Sequence, residues 1–181
     1  MNTIIGKCEV HHDKSGQPYL AVDINELYYS QYANFMLSNN FYEDVDRKLK
    51  RDKGCYHVTL FSAAHWGSLT KRELANEILE QLSGKEVSFL SHGIGKAEKD
   101  EHYAHFVILE NQEINNLRAK YNLPPNDFHM TLAFNEKDVH GVPKNKETCV
   151  YKLEEIMKLS SLLKIQEFNH VEENHSLKMK P

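Results

Sequence analysis

Two tetrapeptides of one pattern, His57-Val58-Thr59-Leu60 and His129-Met130-Thr131-Leu132, stand 72 residues apart in this chain. The chain holds 11 His, 5 Thr and 19 Leu. A shuffled chain of that composition would carry His-x-Thr-Leu roughly 0.03 times, so two copies arise in fewer than about one shuffle in a thousand. Histidine takes or gives a proton near neutral pH. In a strand, residues i and i+2 share a face. Each imidazole therefore sits beside a threonine hydroxyl, while Val58, Leu60, Met130 and Leu132 turn the other way, into a core. Where two such strands lie together, two imidazoles and two hydroxyls meet in one cleft.

That set suits cleavage of a phosphodiester. One neutral histidine takes a proton from the attacking hydroxyl or water, and the other, protonated, gives one to the departing oxygen. The hydroxyls hold the non-bridging oxygens and the charge that builds on phosphorus. His57 and His129 are thus the candidate catalytic residues, and Thr59 and Thr131 the candidate phosphate binders. The pattern contains no carboxylate, which a magnesium or zinc phosphodiesterase would contribute as a ligand. The expectation is no metal and no cofactor.

The paired motif resembles the 2H phosphoesterase superfamily. That group includes bacterial and archaeal RNA 2′,3′-cyclic phosphodiesterases (first described as 2′-5′ RNA ligases), plant cyclic phosphodiesterases, and viral enzymes that cut 2′-5′ oligoadenylates or cyclic nucleotide signals. The resemblance covers residues 19–135. It implies a bilobal, pseudo-twofold fold with the cleft between two antiparallel sheets, and an acid/base pair of His57 and His129 with Thr59 and Thr131 on the phosphate. The stretch from Phe134 to Lys144 is similar to the Swiss Army Knife, RNA-repair-like branch. The implied activity is metal-independent opening of a 2′,3′-cyclic phosphate end on RNA or a small nucleotide. An alternative is hydrolysis of a 2′-5′ oligoadenylate or a cyclic (oligo)nucleotide messenger. A second is a non-catalytic nucleotide or RNA binder, though binding alone needs no pair of proton-transfer groups. A histidine-ligated metalloenzyme would differ in losing its activity to a chelator.

Other residues are weaker candidates. His140 and Lys144 lie on a Gly-Pro loop after the second motif, where a loop can fold over the cleft and touch substrate. Trp66 follows the first motif, where it would either stack on a base or pack inside. The basic run Arg47, Lys48, Lys50, Arg51 and Lys53 reads as a solvated helix face or as a guide for a nucleotide chain. Tyr56 and Phe128 precede the catalytic histidines and should point into the core. Tyr28, Tyr29 and Tyr32 read as core and boundary. His11, His12, His102 and His105 complete no recognisable metal site and receive no role.

The elements that must position the motifs follow from periodicity. Strands are expected at 19–24, 56–62, 86–92, 103–110 and 128–134. Residues 27–49 read as helical with a break near Asn39-Asn40, and Thr70 with Glu73 as a capping box opening a helix that Ser83-Gly84 ends. Gly95–Asp100 reads as a polar turn. Helices are expected at 111–121 and 150–163. The pattern is α+β (mixed α/β), in two similar halves that each end on a His-x-Thr-Leu strand. Residues 1–181 are expected to form one domain with a core at about 19–163 and a loose polar tail at about 170–181.

The net charge of −4 offers no global field to hold a long polyanion. The expected partner is therefore a nucleotide or short RNA, with no obligate protein partner. Three cysteines in no framework favour a reducing, cytoplasmic setting. No apolar run is long enough to cross a membrane and none looks like a signal peptide.

Overall fold

The structure, a computed structural model, describes residues 3–163; the polar tail expected at 170–181 lies outside them. The strands are β1 (Thr3–His12), β2 (Pro18–Ile24), β3 (His57–Phe61), β4 (Glu86–Lys99), β5 (His102–Glu110), β6 (His129–Phe134) and β7 (Cys149–Lys152). The helices are α1 (Glu26–Ser38), α2 (Tyr42–Arg51), α3 (Ala63–Lys71), α4 (Ala75–Leu82), α5 (Gln112–Lys120) and α6, helical over 153–163, with a 3₁₀ turn at Lys146–Thr148. Among the described residues no helix is long and apolar enough to cross a membrane.

All strand neighbours are antiparallel, in the order β3-β2-β1-β4-β5-β6, with β7 added on β4. The two halves anticipated from the sequence are arms of this one sheet. They are joined because β4 is long: residues 86–90 pair with β1 and residues 93–95 pair with β7. A bulge between Ser91 and Gly93 marks the passage from one arm to the other, as bulges bend and twist the strand that carries them. Gly93 has φ +123°, and a Cβ there would lie 2.4 Å from the Tyr151 carbonyl oxygen. Gly93→Ala is therefore expected to cost about 1–3 kcal/mol. A denaturation midpoint equal to that of the unsubstituted chain would refute it.

The main core lies between the sheet and its helices and includes Ile4, Cys8, Tyr32, Trp66, Ile78, Phe89, Phe128 and Ile156. A smaller cluster, Ala97, Ala104, Phe106, Ile108, Phe134 and Val139, is roofed by the 135–149 segment. Tyr32 spends its hydroxyl on Ser91 Oγ at 2.8 Å, and Tyr29 stacks on Tyr56 at 4.0 Å between centroids.

Four local expectations need correction. β1 was not anticipated, and the core starts with it at Ile4 rather than near residue 19. Thr70 is not a helix cap: it lies inside α3 and its hydroxyl donates to the Trp66 carbonyl at 3.0 Å. Ser62 caps α3 instead, and Glu73, at φ 60°, sits in the turn before α4. Gly95–Lys99 continues β4 rather than turning. Gly95 is small because the Phe106 ring lies over it, 2.6 Å from where a Cβ would stand. Residues 149–152 open the expected last helix as a strand, because β4 still has an edge to pair. The break near Asn39-Asn40 is present, with Asn40 at φ 67° between α1 and α2.

Candidate active site

Each motif histidine is the first residue of its strand, His57 of β3 and His129 of β6. His57 lies opposite Asp23 and Thr59 opposite Ala21 on β2, while His129 lies opposite Ile108 and Thr131 opposite Phe106 on β5. The intervening Val58, Leu60, Met130 and Leu132 are fully buried on the other face. β3 and β6 are in contact although each belongs to a different arm. Asn126 Nδ2 ties them together by donating to the Thr59 carbonyl at 3.1 Å.

Around His129 the chain builds a compact charged network. The Asp127 carbonyl lies 2.8 Å from Nδ1. A carbonyl only accepts, so the ring proton sits on Nδ1 and Nε2 keeps its lone pair. Lys144 Nζ donates toward that Nε2 at 3.3 Å and toward Asp138 Oδ1 at 3.1 Å. Asp138 Oδ2 accepts from Thr131 Oγ1 at 3.1 Å and from Arg51 Nη1 at 2.8 Å. Lys144 is only 3% exposed, and its backbone N–H donates to Asp127 Oδ2 at 3.1 Å. Burial, then the Lys144 charge, push the His129 pKa down to about 4. Burial alone would raise the Asp138 carboxyl, but Lys144 and Arg51 hold it well below the usual carboxylate range.

The His57 side is built from α2 and the β1–β2 hairpin. Arg51 grips Asp52 with two bonds, Nε–Oδ1 at 2.6 Å and Nη2–Oδ2 at 2.8 Å, while its Nη1 reaches Asp138. One guanidinium thus bridges the surroundings of the two histidines. Lys48, fully buried, donates to the Cys55 carbonyl and sits 3.1 Å from the centre of the Tyr56 ring. The His11 ring lies 5.5 Å, and the Tyr19 ring 6.1 Å, from that of His57. His11 Nε2 is 2.9 Å from Asp23 Oδ1, which raises its pKa. Burial pushes His57 down to about 4; Asp52 opposes this, while His11, Lys48 and Arg51 add to it.

The structure places the other candidates differently from one another. Lys144 enters the site. His140 is exposed, its carbonyl 3.3 Å from Lys99 Nζ, and near enough to His129 for its charge to be felt there. Trp66 is a correction: it is 4% exposed and packs edge-on against Phe61 at 6.2 Å, with no face left for a base. The basic run divides. Arg47 and Lys50 pair with Glu43, Asp44 and Asp46 along α2, while Lys48 and Arg51 turn inward. The carboxylates Asp52 and Asp138, and the Asp127 carbonyl, were missed. Their signal was weak. Asp52 lies four residues after Lys48, at the end of a stripe marked by Val45 and Leu49, and Asp138 stands in the polar segment after the second motif. Thr131 also departs from expectation, since its proton points at Asp138, whereas the Thr59 hydroxyl has no partner among the described residues.

No three of His, Cys, Asp and Glu among the described residues form a metal-holding group. Chemically, the arrangement offers two neutral imidazoles, a buried ammonium beside one of them and a free hydroxyl beside the other. Compared with known families, residues 19–140 match the Swiss Army Knife, 2H phosphoesterase domain. No curated protein and no solved structure matches the chain.

Proposed function

Because this chain belongs to the Swiss Army Knife branch of the 2H phosphoesterases, a family of phosphoester hydrolases, we propose that it is a metal-independent phosphodiesterase acting on a 2′,3′-cyclic phosphate end of RNA or of a small nucleotide. The carrying observation is the tautomer of His129. With Nδ1–H held by the Asp127 carbonyl, Nε2 keeps a lone pair, which in the free protein faces Lys144 Nζ and is the form a general base needs. Lys144 favours that neutral form. A carboxylate opposes the depression at each histidine, Asp52 at His57 and Asp138 at His129, but only His129 has an ammonium against its Nε2. A bound phosphate adds negative charge, which favours the protonated form of a nearby imidazole. His57 is thus the general acid that protonates the leaving oxygen, and His129 the general base that activates water.

The phosphate is met by Thr59, whose hydroxyl is unengaged, and by Lys144, which leaves His129 Nε2 for a non-bridging oxygen when substrate enters. Such donors count most where water is excluded. Arg51 stays on Asp52 and Asp138 and acts by holding both clusters in register. Thr131 joins the phosphate by turning its hydroxyl from Asp138.

Two measurements test this. The first is hydrolysis, in EDTA, of a 2′,3′-cyclic nucleotide, an RNA with a cyclic-phosphate end, a 2′-5′ oligoadenylate and a cyclic dinucleotide. Turnover of the first two is expected. Turnover of the oligoadenylate or dinucleotide alone would move the substrate to that class, and turnover of none would leave a binding module.

The second is a pH profile. With both imidazoles near 4 in the free enzyme, the singly protonated form becomes scarcer as pH rises. Since kcat/KM reports free-enzyme groups, it should fall about tenfold per pH unit between pH 6 and 8. The kcat profile, set by the complex in which phosphate favours protonation, should stay level to higher pH. A flat kcat/KM profile across that range would overturn the depressed pair.

A further inference from the structure

Beside His129 a cavity of about 300 Å³ is lined by residues of β5, α5 and the segments around Asp127 and Lys144. Ile108 in its lining is the direct cross-strand partner of His129, so the two side chains face the same way. Asp127 and Lys144 belong to the cavity and to the site at once: one holds Nδ1 of His129 and the other reaches its Nε2.

Three lining side chains are amides, and each spends one atom on the protein. Asn115 Oδ1 accepts from Asn126 N at 2.9 Å, Asn126 Nδ2 donates to Thr59 O, and Asn145 Oδ1 accepts from Glu147 N at 3.1 Å. The NH₂ groups of Asn115 and Asn145 and the Oδ1 of Asn126 have no partner among the described residues. Two donors and one acceptor match the polar edges of a heterocyclic base. The charges argue the same way. Lys144 and Lys146 face Glu110, Glu147 and Asp127, and Lys146 is already paired with Glu110 at 2.7 Å. A surplus of carboxylates repels a second phosphate and admits a neutral group. The volume is at the lower end of small-ligand sites.

We propose that this cavity is a nucleoside subsite. It takes the base and ribose attached to the phosphate held between His57 and His129, with Asn115, Asn126 and Asn145 on the polar edges. The proposal rests on the phosphodiesterase reading above. It deepens that reading by making the substrate a mononucleotide or a chain end, with a nucleoside and no further phosphate on the His129 side.

The test compares Asn145→Ser and Asn115→Ser with the unsubstituted chain on two substrates, a 2′,3′-cyclic mononucleotide and the 2,3-cyclic phosphate of 1-O-methylribose, which lacks the base. Serine at 145 also accepts a capping hydrogen bond, so this variant keeps the turn. KM for the nucleotide should rise on the order of tenfold, the effect of one lost hydrogen bond, with the base-free substrate unchanged. Equal changes on both substrates, or none on either, would overturn the subsite. Should the unsubstituted chain turn over neither substrate, nor an RNA with a cyclic-phosphate end, the phosphodiesterase reading fails. A titration with adenosine, guanosine, cytidine and uridine, followed at the side-chain amide resonances of Asn115 and Asn145, then decides alone. Shifts in those resonances support the subsite, and their absence with all four nucleosides rejects it.

Discussion

Alanine in place of His57 or of His129 is expected to lower kcat by at least about a hundredfold, and by up to about 10⁴, the usual worth of a positioned proton donor or acceptor. The two losses should not add, since both groups serve one proton-transfer sequence and removing either leaves the other without its counterpart. The variants should also differ in pH dependence. Without the base at 129, the residual rate should climb with hydroxide as pH rises. Without the acid at 57, a substrate with a good leaving group such as a p-nitrophenyl ester should regain much of the rate. Neither imidazole carries the fold. His57 is flanked by side-chain rings at 5.5 and 6.1 Å, and His129 makes one backbone contact, one with Lys144 and an edge-on ring contact with Phe106 at 5.7 Å. Melting temperatures should therefore stay close to that of the unsubstituted chain. A double variant that loses the sum of the two single effects, or single variants that keep full activity, would sink the acid/base assignment.

The second large effect is on stability. Asp138→Ala removes the carboxylate shared by Arg51, Lys144 and Thr131. It leaves two cations in a place where Lys144 is 4% exposed at its side chain and Arg51 24%. Removing one partner of a buried ion pair costs about 3–5 kcal/mol, because the remaining charge is stranded away from water, and that is a large part of the 5–15 kcal/mol typical of a whole domain. The carboxyl titrates below its ordinary range in the folded chain. Its contribution is therefore complete above the unfolded pKa and fades as pH falls through the folded one. Denaturant titration near pH 7 should show the full deficit, narrowing at strongly acid pH. Adding Lys144→Met to Asp138→Ala should recover part of the loss, since one stranded cation is then gone. A deficit below about 1 kcal/mol, or a double variant that only adds further loss, would contradict the network.

Much of this was legible in the chain itself. A repeated His-x-Thr-Leu is local information: strand alternation alone places imidazole and hydroxyl on one face and Val58, Leu60, Met130 and Leu132 on the other, and all four are buried. The helix break at Asn40, the stop at Ser83-Gly84 and the strands around both motifs likewise follow from residues within a few positions of each other. The misreadings have identifiable causes. Thr70 and Glu73 fit a capping box, but the chain had already begun α3 at Ser62. Gly95 looks like a turn residue, but its lack of a side chain is needed by Phe106, which arrives eleven positions later. In the first case a cap nearer the N-terminus overrode the local capping box, and in the second a cross-strand contact overrode a local turn preference.

The motif residues, their chemistry and their shared face were determined by the sequence alone, because strand geometry is periodic and proton transfer depends on side-chain type. What surrounds the two imidazoles was decided only by tertiary structure. Arg51 and Asp138 are 87 positions apart and Asn126 reaches a carbonyl 67 positions away. The buried surroundings that hold both histidines neutral arise when α2 and the loop ending at Lys144 close over β6. Desolvation and Coulomb attraction depend on distance in space, and no spacing along the chain encodes that distance.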